Sequence, residues 1–228
     1  MKLLSVDTNA KTVKGQRKGY MTGILYLAPS DQSGVMNTCP HATKGCRIAC
    51  LYTAGRGAFD NVKQARIKKT EWLARDEQSF IEQIIKDIEA LERKAKRNNM
   101  TPCVRLDGTS GLGLAEKIAP LFPHIQFYDY TKNPHTIMRY LAGELPKNWS
   151  LTFSRAETKA NQRQAQTVLN NGGNVAAVFA KDLPETHSNK RVINGDESDL
   201  RFTDPQGVIV GLKAKGKAKK DTSGFVIA

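Results

Sequence analysis

The chain has 228 residues, 39% of them hydrophobic, enough for one domain over residues 1–228 with a sizeable core. Its 35 Lys and Arg against 22 Asp and Glu give a formal net charge of +13, an excess that points to nucleic acid or another polyanion as partner. No apolar stretch approaches the roughly 20 residues of a membrane span, and MKLLSVDTNAKTVKG has too short an apolar run for a signal peptide, so the reading is a cytoplasmic protein without membrane contact.

Residues 1–22 form a basic segment, packed on the domain or extending from it, that carries Lys11, Lys14, Arg17 and Lys18. The apolar run Gly23–Ala28 predicts a first strand. It leads into TCPHATKGCRIACLYTAGRG, where Cys39, Cys46 and Cys50 fall within twelve residues. In a reducing compartment, a chain with four cysteines is better read as metal-binding than as a disulfide scaffold. Three thiolates on one loop leave a coordination position open, as a catalytic centre requires. Thiolates select zinc and iron–sulfur clusters alike, so both stay open, with His41 as a candidate fourth ligand for zinc. Cys103 falls in a strand and reads as core or cavity lining rather than a ligand.

Helices are predicted from about Asp60 to Arg75 and from Asp76, a candidate N-cap, to Asn98. The second carries Phe80, Ile81, Ile84, Ile85, Ile88 and Leu91 at helical spacing. Strands then alternate with helices. Strands are predicted at Cys103–Gly108, Gln126–Tyr130, Leu151–Ser154, Val175–Ala180 and Val208–Leu212. The helices between them are Leu114–Leu121, Pro134–Gly143 and Lys159–Asn171. This order predicts an α/β fold of about six parallel strands, a partial or full βα barrel with the cysteine loop after its first strand. Val104 and Leu106, Phe127, Leu151 and Phe153 alternate with polar residues. One polar sheet face therefore predicts a curved sheet around a polar cavity, with its chemistry at the C-terminal strand ends.

On that polar face Arg105, Tyr128, Tyr130 and Lys132 are candidates for substrate contact, Arg105 and Asp107 alternatively forming a cavity ion pair. Lys14, Arg17, Arg56 and Lys215 are candidates for phosphate contact with nucleic acid. Asp196, Glu197, Asp199 and Asp204 either hold Mg²⁺ for phosphodiester chemistry or cap turns beside Gly195 and Pro205.

The stretches CPHATKGCRIACLYTAGRG, VRLDGTSG, FYDYTK and GDESDLRFTDPQGVIVGLKAKGKAKKDTSGF resemble a phage-associated family named gene product 88, which implies a viral or prophage origin and a place in the host cytoplasm. The order of parts is also similar to the radical S-adenosylmethionine enzymes. That resemblance implies a [4Fe–4S] cluster on Cys39, Cys46 and Cys50. It also implies S-adenosylmethionine seated by Asp107, Thr109, Ser154, Gly207 and Gly211. The cysteine spacing differs, six residues then three instead of three then two, and Asp107 stands where that superfamily has a glutamate. The expected function is an iron–sulfur protein acting on nucleic acid or a nucleotide. The alternatives are a zinc-stabilised nucleic-acid-binding phage protein without catalysis and a Mg²⁺-dependent nuclease.

Overall fold

A computed structural model describes residues 1–6 and 10–228. The strands are β1 (Leu4–Val6), β2 (Tyr20–Leu25), β3 (Thr101–Arg105), β4 (Gln126–Thr131), β5 (Trp149–Ser154), β6 (Val175–Phe179), β7 (Thr186–His187), β8 (Lys190–Asn194), β9 (Ile209–Lys213) and β10 (Val226–Ile227). The helices are α1 (Ala10–Gln16), α2 (Lys44–Ile48), α3 (Asp60–Arg75), α4 (Glu77–Arg97), α5 (Ala115–Ile118), α6 (Pro134–Leu141) and α7 (Lys159–Asn170).

Among the described residues the strands form one ten-stranded sheet in the order β1-β2-β3-β4-β5-β6-β9-β8-β7, with β10 on β6. It is mixed α/β and mostly parallel: β2 through β6, β9 and β8 run parallel, while β1 and β7 pair antiparallel at the two edges. The path from β1 to β7 does not close. The six strands predicted from sequence correspond to β2, β3, β4, β5, β6 and β9. The first begins three residues early, at Tyr20, because Gly19 turns at φ +81° and its carbonyl accepts the Thr101 amide at 2.8 Å.

Asp76 caps α4 by accepting the Ser79 amide at 3.1 Å. The predicted stripe then buries Phe80, Ile84, Ile88 and Leu91 completely or nearly so. Each such side chain contributes roughly 1.5–3 kcal/mol of transfer free energy. With Val104, Leu106, Phe127, Trp149, Leu151 and Phe153 from the sheet they make the main core. None of the described helices is long and apolar enough to cross a membrane.

The other sheet face corrects an expectation. Cys103 and Tyr128 do not line an open cavity, because the stretch Ser198–Asp204 lies across them. Leu200 packs on Cys103 and Tyr128, and Phe202 stands edge-on to Tyr20 at 5.1 Å. Beside them Arg105 meets Asp199 at 3.1 Å, and the Tyr128 hydroxyl donates to the same carboxylate at 3.3 Å. A polar strand face can be satisfied by a returning segment of its own chain, and alternation alone cannot distinguish that from a ligand cavity.

One irregularity shapes the C-terminal rim. Strand β5 follows β6 only through Phe153↔Val175 and Ser154↔Ala176. Two residues further on, β10 takes its place, with Val226↔Val178 and Ile227↔Phe179. The segment around Phe225 is thereby wedged beside the ends of β4 and β5.

Candidate metal centre

The cysteine loop leaves the C-terminal end of β2 and is pinned at both ends of its cysteine run. At the first, the Thr38 hydroxyl donates to the Ala28 carbonyl at 2.6 Å and the Gly111 amide donates to the Thr38 carbonyl at 2.9 Å. The Cys39 sulfur accepts the Ser30 amide at 3.3 Å and lies 3.6 Å from the Thr109 carbonyl. At the second, Thr43 caps α2 through the Cys46 amide at 3.2 Å. Glu157, just past β5, accepts both the Thr43 hydroxyl at 2.6 Å and the Gly45 amide at 2.8 Å. The Thr53 hydroxyl donates to the Cys50 carbonyl at 2.9 Å.

Cys39, Cys46 and Cys50 are all free and half-buried. Burial pushes the Cys39 thiol up; the Ser30 amide and Thr38 oppose this, while Cys46 and Asp107 add to it. Burial raises Cys50 too, reinforced by Cys46 and Cys39 and opposed by the Tyr52 amide and Lys132. The three thiols therefore lie within reach of one another's charge. Among the described residues, no group of three or more His, Cys, Asp or Glu side chains is drawn together in a set ready to hold a metal ion. His41 is exposed.

Arg66 of α3, within electrostatic reach of Cys50, is buried, with its guanidinium 5.3 Å from the Tyr26 ring centre. Its Nε and Nη1 have no hydrogen-bond partner. Desolvation lowers its pKa, partly offset by Tyr26 and Cys50. A buried cation without an acceptor is costly unless an anion faces it. Thiols next to such a cation have donor chemistry that would suit an anionic metal–thiolate centre.

The ends of β4 and β5 supply the opposite wall. Lys132 donates to the Ser154 hydroxyl at 2.6 Å and sits 5.6 Å from the Phe225 ring centre. Arg155 donates to the carbonyls of Gly224 and Phe225, both at 3.1 Å. Cys46 packs against the small cluster of Ala49, Ala156, Ala214, Ala218 and Phe225. Thr109 donates to the Leu27 carbonyl at 2.6 Å, and its own carbonyl meets Cys39. The Asp107 carboxylate accepts from the Ser110 hydroxyl and the amides of Leu112 and Gly113 at 2.6–3.0 Å, fixing the loop that carries Thr109. Behind it Asp129 is buried, accepting the Asp107 amide at 2.7 Å and the Trp149 indole at 3.1 Å. Burial, then the Asp107 charge, holds its carboxyl well above the usual range.

The remaining candidates are spread over several places. Gly207 turns at φ +69° ahead of β9, at the N-terminal end of the sheet. Gly211 is mid-strand, where a Cβ would meet Val192 at 2.8 Å and Leu183 at 2.9 Å. Arg105 pairs with Asp199, not Asp107, and lies 4.8 Å from the Tyr130 ring centre; Tyr128 is fully buried. Lys14 and Lys215 meet on one residue, donating to the Asp196 carbonyl at 3.2 Å and to its carboxylate at 2.6 Å. The segment after Lys215 rests on the cysteine loop, the Lys217 amide donating to Thr53 at 3.2 Å. Arg17 and Arg56 are exposed. Of the acidic stretch, Asp196 takes Lys215, Asp199 takes Arg105, and Asp204 lies 3.3 Å from Arg201.

Sequence reasoning missed Glu157 and Arg66. Glu157 stands at a strand end in SRAE, a detectable position. Arg66 looks like one more surface cation among Lys63, Lys68 and Lys69, and only the fold buries it. No curated protein and no solved structure matches the chain. The family model described as Gene product 88 matches residues 2–228. The chain belongs to the Gene product 88 family of phage gene products.

Proposed function

We propose that the chain holds an iron–sulfur cluster through Cys39, Cys46 and Cys50 and works on nucleic acid or a nucleotide at the C-terminal rim of its sheet, as a curved, barrel-like scaffold would allow. What supports this is that Cys39, Cys46 and Cys50 are free and half-buried on one pinned loop, with Cys50 within electrostatic reach of Arg66, a buried guanidinium whose Nε and Nη1 have no hydrogen-bond partner. When bound by three thiolates, such a cluster supplies an open iron site and redox chemistry. Arg66 would offset the charge of the centre, and Glu157 and Thr38 would hold the loop. Lys132 and Ser154 would present a donor at the rim, and Arg56, Lys215 and Lys217 would meet phosphates beside it. Of the residues that the S-adenosylmethionine resemblance implies, Asp107, Thr109 and Ser154 would lie at this rim, while Gly207 stands ahead of β9 at the other end of the sheet.

The test is anaerobic purification with metal analysis and an absorption spectrum. Brown protein with several irons per chain, and colourless Cys39/Cys46/Cys50→Ala protein, is the expected result. Stoichiometric zinc without iron after reconstitution would replace this reading with a zinc-stabilised binding protein.

A further inference from the structure

A second concave site lies toward the N-terminal ends of the strands, where Lys18 precedes β2 and Pro205 precedes β9. It is a cavity of about 370 Å³ between β8 and the Ser198–Pro205 stretch, its polar lining including Lys18, Arg191, Asn194, Glu197, Arg201 and Asp204. Arg201 forms its buried wall and is 4% exposed. Its Nη2 donates to the Ser198 carbonyl at 2.5 Å. Its Nε faces the Asp204 carboxylate at 3.3 Å without a hydrogen bond, and its Nη1 has no protein acceptor.

The charges around the cavity are three cations and two carboxylates. Glu197 is engaged by the Asn194 amide at 3.2 Å. Asp204 is pushed up by burial and drawn back by Arg201 and Lys18. Lys18 and Arg191 are exposed, Lys18 within electrostatic reach of Asp204. Donors from three separate elements, with the charge of the buried Arg201 behind the exposed Lys18 and Arg191, suit a tetrahedral oxyanion that offers several acceptor oxygens at once. The volume admits such a group with water around it.

We propose that this cavity is a phosphate-binding site, seating one phosphate group against Arg201 between Lys18 and Arg191. The phosphate belongs either to a small phosphorylated ligand or to a nucleic-acid strand. Because Lys18 and Arg191 are exposed, their substitution leaves the packing intact. The full-length chain, in chloride buffer of fixed ionic strength, is titrated with inorganic phosphate and separately with a short single-stranded oligonucleotide. The readouts are thermal midpoint and calorimetric binding. Phosphate should raise the midpoint of the parent. The Lys18→Gln/Arg191→Gln double variant should keep the parent's midpoint in chloride and lose at least tenfold in phosphate affinity. Oligonucleotide binding lost in the same variant assigns the phosphate to a strand; phosphate binding alone assigns it to a small ligand. Absence of a phosphate-specific shift, or an equal response in the double variant, overturns the site. The readout needs no metal, so it is separate from the iron measurement.

Discussion

Glu157 accepts the Gly45 backbone amide at 2.8 Å, tying the end of β5 to the first turn of the cysteine helix across 112 positions of chain. The approach depends on glycine: a Cβ at Gly45 would lie 2.7 Å from the Glu157 carboxylate and run into the Ser223 hydroxyl. The fifth strand thus sets where Cys46 and Cys50 stand.

Glu157→Gln should loosen the loop, because an amide N–H then opposes the donor of Thr43 or Gly45. The measurement is thiol alkylation of metal-free protein, with Cys46 and Cys50 reacting severalfold faster than in the parent. Burial works against ionisation of Glu157, but the bonds from Thr43 and Gly45 outweigh it and hold the carboxyl below its usual 4.5. A depressed folded pKa means that its stabilisation is present above the unfolded value and lost as pH falls through the folded one. Below pH 4.5 the parent should therefore lose stability that the Gln variant never had. Equal acid sensitivity in both would discount the anchor.

Asp199→Ala leaves the Arg105 guanidinium buried with its charge uncompensated and removes the acceptor of Tyr128. The cost should be about 3–5 kcal/mol in denaturant unfolding. Replacing Arg105 by Met and Asp199 by Leu together should cost less than Asp199→Ala alone. A loss under about 1 kcal/mol for Asp199→Ala would show that other contacts hold the Ser198–Asp204 stretch in place.

Gly108→Ala places a methyl 2.6 Å from the Leu25 carbonyl oxygen and 2.7 Å from Ile24. Backbone cannot swing aside as a side chain can, so overpacking of about 1–3 kcal/mol is expected. Since Thr109 follows directly and meets Cys39, the same variant should bind less iron. Unchanged stability and iron content would contradict the close approach of β2 and β3.

Arg56, Lys215 and Lys217 changed together to Glu should flatten the salt dependence of single-strand binding. Each lost phosphate contact removes about 0.7 from the slope of log K against log salt, so three remove about 2. Fluorescence anisotropy across a salt series measures it. An unchanged slope would identify these cations as a solvated surface.

The six parallel strands and α4 were legible because their signals are local: period-two alternation in VRLD and FYDY, and the stripe from Phe80 to Leu91 over a cap at Asp76. The cysteine loop was legible from spacing alone. Strands β1, β7, β8 and β10 were not: β1, β7 and β10 have two or three residues and no period, and the five-residue KRVIN of β8 is too polar to stand out. The covering of Arg105 and Tyr128 by Asp199 to Phe202 was hidden by separation along the chain. A buried arginine and a carboxylate 94 residues apart leave no mark in either neighbourhood. In GVIVGLK the structure adds a turn at Gly207 and close packing at Gly211.

The replacement of β5 by β10 beside β6 has a bearing on how the thiols are assembled. The walls around Cys46 come from residues 43–49, 154–157, 214–218 and 223–226, so the pocket has no local precursor. A peptide of the cysteine loop would carry all three thiols and none of the surroundings that orient them. Loop closures of that length are slow and come late. Metal offered during synthesis would meet a flexible chelator, whereas metal offered afterwards would meet the finished rim. If the proposed centre forms, this topology would have loading follow folding.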